Sequence, residues 1–228
     1  MNTFLDALAW IADPGNWTGG QGIAARLLQH LAVTFVAVLV ASVLALPVGV
    51  LIGHTRRGRG VVVALAGAVR AIPTLGLLTL LALLLGIGVT APLLALVALA
   101  VPSVLAGAYA GVESAEPAAV DAARAMGMSE MQIVRHVELP LGASVLVGGL
   151  RAATLQVVAT ATLAAYTSDT GLGRYLFIGL KSRDYPQMLA GAMLVALLAL
   201  VLDRLFATAQ QRAARLAPRP HVDVRLDA

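Results

Sequence analysis

The chain has no cysteine, few aromatic residues and little charge. Aromatic residues make up 4% of its 228 residues and charged residues 12%. The lack of cysteine excludes disulfides and thiolate chemistry. A soluble domain carries about 25% charged residues, so the scarcity of charge argues against a soluble helical protein. The single lysine, Lys181, follows a leucine, which excludes the Gly-Lys-Ser/Thr step of a nucleotide-binding P-loop.

Motifs of catalysis are also missing. The sequence contains neither a His-Glu-x-x-His zinc signature nor a Gly-x-Ser-x-Gly elbow, and its four histidines are scattered. Acidic residues fall outside the apolar runs except Asp203, which lies beside Arg204 and which we assign to an interface rather than to a proton relay. We therefore predict a protein without enzymatic activity, without a bound metal and without a cofactor of its own.

What the chain does contain is aliphatic sequence. It is 59% hydrophobic with a mean hydropathy of +0.87, and long runs of Leu, Val and Ala are typical of helices in lipid. We predict an all-α membrane protein with five transmembrane helices. The predicted spans are Leu31–Gly53, Val61–Gly88, Ala91–Ala110, Leu141–Ala165 and Met188–Phe206.

The basic residues cluster at the ends of these spans, which indicates membrane topology rather than nucleic-acid binding. The connection His54–Gly60 holds three arginines and no acid, Val89-Thr90 holds no charge, and the C-terminal tail holds four arginines. This pattern predicts an external N-terminus and a cytoplasmic C-terminus. The predicted external segment Tyr166–Gln187 carries three basic residues, but the reverse topology would place more arginines outside. The expected organisation is an external or interfacial segment 1–30, a transmembrane domain 31–210 and a cytoplasmic tail 211–228.

Two local patterns refine the spans. Phe4–Ala12 is too short to cross a bilayer, so we expect an interfacial helix that ends at the turn Asp13-Pro14-Gly15. The second span is 28 residues long, about 42 Å of helix, and contains a proline that lacks an amide donor. We expect a break at Ile72–Pro73.

Small residues recur at helical spacing. They form Gly49-x-x-x-Gly53, Gly107-x-x-x-Gly111 and the pair Gly148-Gly149. Residues of this size allow helix backbones to approach closely in lipid. We interpret these glycines as helix contacts.

The longest patterned polar stretch is the docking loop, Glu113–Pro140, between the third and fourth spans. Its first part is rich in alanine with acids early, as suits the start of a helix, and Gly127 is placed to end that helix. Ser129-x-x-Gln132 has the spacing of a capping box. We predict two short helices joined at Gly127 that project from the membrane as a knob and fit a groove on a partner protein.

Within this loop the spacing resembles a known family. Asp121-Ala122-Ala123-x-x-x-Gly127, nine residues and then Val137-x-Leu139-Pro140 is similar to the EAA loop of ABC-importer permeases. That loop reads Glu-Ala-Ala, three residues, Gly, nine residues, Ile-x-Leu-Pro, so the departures are Asp for Glu and Val for Ile.

The resemblance implies a type I (MetI-like) permease in the bacterial cytoplasmic membrane. It implies that the docking loop seats on a separate cytoplasmic ATPase subunit, which binds the ATP. It also implies a second permease, either another copy or a paralogous chain, and an extracytoplasmic solute-binding protein.

Two further stretches resemble permeases for glycine betaine, carnitine, choline and proline. They are Arg70–Leu78 and Arg151–Ala165, the latter followed by Gly171-Leu172-Gly173. The resemblance implies import of small osmoprotectants. A permease for another small solute such as an amino acid shares the fold and the loop and remains an alternative. A stand-alone secondary transporter leaves the loop unexplained.

Polar residues in the fourth span are candidates for the solute pathway. Gln156 and Thr160 share one helical face, and Thr162 and Tyr166 follow toward the external end. Gln156 and the threonines either bond between helices or line the pathway. Tyr166 either attracts a quaternary ammonium ion through its ring or is an interfacial tyrosine. The segment Thr167–Gln187 is a candidate external gate and binding-protein contact.

Overall fold

The computed structural model describes residues 2–216, apart from the side chains of Leu65 and Arg70, and this part of the chain is helical with no strand. The helices are α1 (Thr3–Ala12), α2 (Ile23–Thr55), α3 (Arg59–Ala71), α4 (Thr74–Leu85), α5 (Thr90–Glu113), α6 (Pro117–Ala125), α7 (Glu130–Ile133), α8 (Leu139–Ala164), α9 (Gly173–Ser182) and α10 (Tyr185–Leu216). A 3₁₀ turn covers Pro14–Trp17, and a π-helical turn, Val134–Glu138, joins α7 to α8.

Four helical stretches are long and apolar enough to cross a membrane. They are Ile23–Thr55, Thr90–Glu113, Glu130–Ala164 and Tyr185–Leu216. A fifth crossing results if the bent pair Arg59–Val69 and Thr74–Leu85, whose axes differ by 81°, is one span. The predicted all-α membrane fold is confirmed, and the number of spans among the described residues is four, or the predicted five if the bent pair crosses the membrane.

The break in the second span lies where the sequence places it. Ile72 and Pro73 both have extended backbone dihedrals, with ψ of 124° and 119°, and α4 begins at Thr74. Proline disfavours helical geometry at the residue before it, which explains the extended Ile72. Within α3, Val62 is buried against the core that α2 and α5 form.

The first span begins earlier than predicted, at Ile23 instead of Leu31. The early turns of α2 carry Arg26 and His30, which hydropathy assigns to the outside of a span but which are 2% and 1% exposed. His30 Nε2 lies 3.0 Å from the carbonyl oxygen of Val158 in α8. Arg26 bonds to Asp169 as well as to Gln21 and Gln29 of its own region, so distant groups supply part of the hydrogen bonding of these two residues. At the other end of the chain, residues 217–228 of the predicted tail lie outside the described residues.

The predicted N-terminal helix and its turn are present. Residue Ala7 of α1 is fully buried in the described structure, and α1 packs on α10. The helix ends at Asp13, whose Oδ1 accepts a hydrogen bond of 2.9 Å from the amide of Gly15. The ring of Trp10 meets that of Tyr175 in α9 edge-on, with centroids 5.1 Å apart.

Helix α5 is the central helix, packed between α2 and α8. On the α2 side, a Cβ added at Gly49 would lie 2.6 Å from Ala108 Cβ, and one added at Gly53 would lie 2.7 Å from the carbonyl oxygen of Tyr109. Neither position admits a larger residue without a shift of backbone. The predicted role of Gly49 and Gly53 as helix contacts is therefore confirmed.

Glycines also form the contact between α5 and α8. A Cβ at Gly107 would lie 2.5 Å from the Cα of Gly149, and a Cβ at Gly142 would collide with the carbonyl of Gly111. By contrast, Gly148 faces Gln210 of α10. Both interfaces of the central helix thus depend on backbone-to-backbone approach.

Substitution of Gly107 by alanine tests this contact. We expect Gly107→Ala to lower stability by about 1–3 kcal/mol, because the added methyl group overpacks an interface with no free volume. The measurement is the melting temperature in detergent. The matched control is Gly67→Ala in α3, where nothing lies within 4 Å of the added Cβ. An equal melting temperature for both variants would contradict the close contact.

Candidate functional site

The docking loop starts with a turn rather than with a helix. Glu113 is the last residue of α5, and the first loop helix, α6, begins at Pro117. The early acids of the loop, Glu113 and Glu116, therefore precede α6 and do not lie in its first turn. Proline suits the first position of a helix but disfavours helical geometry at the preceding residue, and Glu116 is extended with ψ of 128°. The chain turns between the two helices at this point.

The end of α6 is the glycine stop that the sequence predicts. Gly127 has φ of +83°, and its amide bonds to the carbonyl of Arg124 at 2.9 Å. The next amide, of Met128, bonds to the carbonyl of Ala123 at 3.2 Å. This is the Schellman arrangement, in which glycine avoids the cost of the left-handed conformation.

The sequence predicts a separate short helix in the second part of the loop, and this is wrong. The segment is instead a prolongation of the fourth span. The capping box is present. The backbone N–H of Gln132 donates to Ser129 Oγ at 3.4 Å, and the backbone N–H of Ser129 donates to Gln132 Oε1 at 2.8 Å. From there the helix runs through the π-helical turn into α8. In a regular α-helix the ring of Pro140 would clash with the carbonyl four residues earlier, and the widened turn accommodates it.

A small apolar cluster fastens α6 to this prolongation. The buried members are Ala115, Val120, Ala123 and Ile133, with Met128, Val137 and Leu141 packed against them. Among the predicted site residues, Ala123 and Val137 thus belong to the underside of the loop. Asp121, Ala122 and Gly127 are exposed, while Leu139 and Pro140 are half-buried at its base.

Charged groups lock α6 to α7 across the glycine turn. Arg124 donates two hydrogen bonds of 2.9 Å to the carboxylate of Glu130, and its Nη1 lies 3.3 Å from Asp121 Oδ1. The hydrogen bond from Arg124 lowers the pKa of Glu130 below its ordinary value, and His54 adds to that effect. The predicted site residue Asp121 therefore has a partner within the loop, and Arg124 and Glu130 are site residues that sequence reasoning missed.

Two large apolar side chains project from the loop. Met126 is 76% exposed and Met131 is 67% exposed, in a segment otherwise rich in charge. Methionine is adaptable and frequent at binding surfaces. The sequence could have indicated their exposure, because Met126 lies beside the Gly127 turn and Met131 lies just after the Ser129 cap.

The polar residues of α8 lie apart from the docking loop, toward the opposite end of that helix. Gln156 bonds to α5: its Oε1 accepts from Ser103 Oγ at 3.1 Å, and its Nε2 donates to the carbonyl of Leu99 at 3.3 Å. The hydroxyls of Thr160 and Thr162 bond at 2.7 Å to carbonyls of their own helix. Tyr166 is 60% exposed, and its ring lies 5.7 Å from that of Phe177.

The segment after α8 is fastened to the start of α2. Arg26 Nη2 lies 3.0 Å from Asp169 Oδ1, and the amide of Gly171 donates to Gln29 Oε1 at 3.1 Å. Helix α9, Gly173–Ser182, lies within this segment. A cavity of about 600 Å³ lies between α1, α2 and α9, with Arg26 and Tyr175 in its wall.

Comparison with known proteins identifies the family. The family model described as "Binding-protein-dependent transport system inner membrane component" matches residues 45–215, which is most of the chain and includes the whole docking loop. The chain belongs to this family. It is therefore a multi-pass transport component of the inner membrane.

Named relatives of this permease agree. It is 30% identical over 195 residues to the choline transport system permease protein OpuBB of Bacillus subtilis (strain 168), covering 86% of this chain and 90% of the relative. It is 32% identical over 181 residues to the osmoprotectant import permease protein OsmY of Salmonella typhimurium, covering 78% and 77%. In the inward-facing structure of the MetNI methionine ABC transporter, a chain 27% identical matches with a TM-score of 0.69, covering 86% of the permease and 96% of that chain.

The two interpretations of Gln156 differ in what a substitution would change. If the side chain ties α8 to α5, Gln156→Leu should reduce stability by about 0.5–2 kcal/mol, measured as a lower melting temperature in detergent. The matched control is Thr162→Val, because the Thr162 hydroxyl bonds only within its own helix. Unchanged melting with impaired solute uptake would instead place Gln156 on the pathway.

Proposed function

We propose that this protein is the permease subunit of an ATP-driven importer of small osmoprotectants, of the class of glycine betaine, choline, carnitine and proline. The observation that carries the proposal is the rigid docking loop at one end of the helix bundle. Its exposed surface suits a partner protein, while the chain has no P-loop of its own. ATP binding would belong to a cytoplasmic ATPase subunit seated on the loop.

The loop would move as a rigid body and transmit a displacement to the membrane helices. Its apolar cluster and the bidentate contact between Arg124 and Glu130 join α6 to α7. Because α7 runs without interruption into α8, a displacement of the loop displaces the fourth span. Movement of the ATPase subunits would then exchange inward-facing and outward-facing packings of a permease pair.

The adaptable surface of the knob supports the docking role. Met126 and Met131 offer apolar area to a groove, whereas Asp121, Arg124 and Glu130 beside them are paired inside the loop. An interface whose centre is apolar and whose charges are compensated needs little desolvation of ions. We therefore assign Asp121 and Arg124 to the shape of the knob and the two methionines to the contact with the ATPase subunit.

The substrate class rests on the relatives. Their printed names include a choline permease and an osmoprotectant permease, each about 30% identical over most of this chain. With four Phe, four Tyr and two Trp, the chain has few residues for an aromatic cage around a quaternary ammonium ion. Selectivity would lie mainly in an extracytoplasmic solute-binding protein, which would meet the segment Thr167–Gln187.

An amino-acid importer is the second candidate. The observation that favours it is the similarity to a chain of a methionine transporter, with a TM-score of 0.69 at 27% identity. Gln156, Thr160, Thr162 and Tyr166 are proposed pathway residues under either candidate. The two candidates differ in the solute, not in the docking loop.

Reconstitution tests the function directly. The permease is placed in liposomes with a candidate ATPase subunit and binding protein, and uptake of labelled glycine betaine is followed with and without ATP. We expect uptake only when ATP and the ATPase subunit are both present. If excess choline inhibits the uptake and excess methionine does not, the solute belongs to the osmoprotectant class. If methionine inhibits and choline does not, it belongs to the amino-acid class. Uptake without any ATPase subunit would refute the proposal.

The left-handed conformation of Gly127 provides a sharper test of the docking loop. Gly127→Val forces a β-branched residue to φ of +83°, at a cost of about 1–2 kcal/mol, whereas Gly127→Asn is tolerated in that conformation. We expect the valine variant to insert in the membrane normally but to lose co-purification with the ATPase subunit. The asparagine variant should retain it. Equal association of both variants would show that the turn does not shape the docking surface.

A further inference from the structure

A histidine at the end of α2 bridges two carboxylates of the docking loop. His54 Nδ1 lies 2.8 Å from Glu138 Oε2, and His54 Nε2 lies 3.1 Å from Glu130 Oε2. The side chains of His54 and Glu138 are 14% and 6% exposed, so this contact is shielded from water. His54 lies 84 residues before Glu138 in the chain, whereas both glutamates belong to the docking loop.

The chemistry of the bridge follows from its geometry. The contact between His54 Nδ1 and Glu138 has the geometry of a hydrogen bond, and an ionised carboxylate accepts it when Nδ1 carries the hydrogen. His54 Nε2 faces the carboxylate of Glu130 on the other side of the ring. A buried carboxylate without a partner is strongly destabilising, and His54 supplies the partner of Glu138.

The bridge extends the locked unit of the loop to another helix. Arg124 holds Glu130, Glu130 also meets His54, and His54 meets Glu138 in the π-helical turn. Next to the bridge, Gly53 packs closely against α5 at the carbonyl of Tyr109. A displacement of the loop therefore reaches α2 through His54, in addition to α8 through the continuous helix.

We propose that His54 is a positioning residue of transport: its contacts with Glu130 and Glu138 couple movement of the docking loop to α2. This role rests on the proposed function as a permease. Without the contacts of His54, α2 would follow the loop only through side-chain packing. The bridge makes α2, α8 and the loop one mechanical unit.

The test compares the solute moved with the ATP hydrolysed. His54→Gln is reconstituted with the ATPase subunit and binding protein, and association, ATP hydrolysis and uptake are measured. We expect association and hydrolysis to persist while uptake per ATP falls by roughly 5- to 150-fold, the range of a typical coupling between sites. The matched control is Thr55→Ala, since Thr55 is exposed and its hydroxyl bonds only to its own helix, to Leu51 at 2.8 Å.

A compensating variant separates coupling from general damage. His54→Gln leaves the Glu138 carboxylate buried and without its imidazole partner, whereas the double variant with Glu138→Gln replaces the histidine–carboxylate pair by a neutral amide pair. We expect the double variant to recover most of the uptake per ATP. An unchanged ratio in His54→Gln, a loss of association in that variant, or an equal loss in Thr55→Ala would overturn the proposal.

Because the chain has no cysteine, a cross-link provides an independent measurement. His54→Cys with Glu138→Cys introduces the only two thiols, which a short bifunctional thiol reagent can join. We expect the cross-linked permease to keep its uptake, because the bridge stays closed during transport. Blocked uptake would show that α2 and the loop separate and would overturn the proposal. If the unmodified chain shows no ATP-dependent uptake, the proposed function itself fails.

Discussion

The fold depends on backbone-to-backbone contact along the central helix α5. In lipid there is little hydrophobic force between helices, so close packing at small residues has to hold them together. Gly49 and Gly53 bring α2 against α5, and Gly107 meets Gly149 of α8. The contact between Gly111 and Gly142 has a further consequence, because these glycines flank the docking loop. The two ends of the loop are thereby held together at their base.

A loop fixed at its base can act as a rigid knob, and its own interactions complete that rigidity. The Schellman turn at Gly127 sets the direction of the chain, and the apolar cluster seats α6 on the prolonged fourth helix. Arg124 and Glu130 satisfy one another across the turn. The large apolar side chains that the loop leaves exposed are Met126 and Met131. The loop is thus held together by internal contacts between α6 and α7, and its exposed methionines are adaptable where a partner would bind.

Local signals predicted much of this structure and missed what depends on distant residues. The break at Pro73, the stop at Gly127 and the Ser129 cap each follow from the conformational preference of one or two residues. The early start of α2 was not predicted, because Arg26 is buried there and pairs with Asp169, 143 residues away. His54 likewise meets Glu138 across 84 residues. The roles assigned to the site residues in docking and in the solute pathway remain predictions.

The two distant contacts of α2 bear on where movement can occur. At one end His54 ties α2 to the root of α8, and at the other Arg26 and His30 tie it to Asp169 and to the carbonyl of Val158. With α5 packed between them on glycine, α2, α5 and α8 cannot separate without breaking buried polar contacts, which is costly in a low-dielectric interior. On the proposed function, alternating access therefore requires this unit to move as one body. On that proposal the changing contact would lie between this chain and a second permease rather than inside one chain.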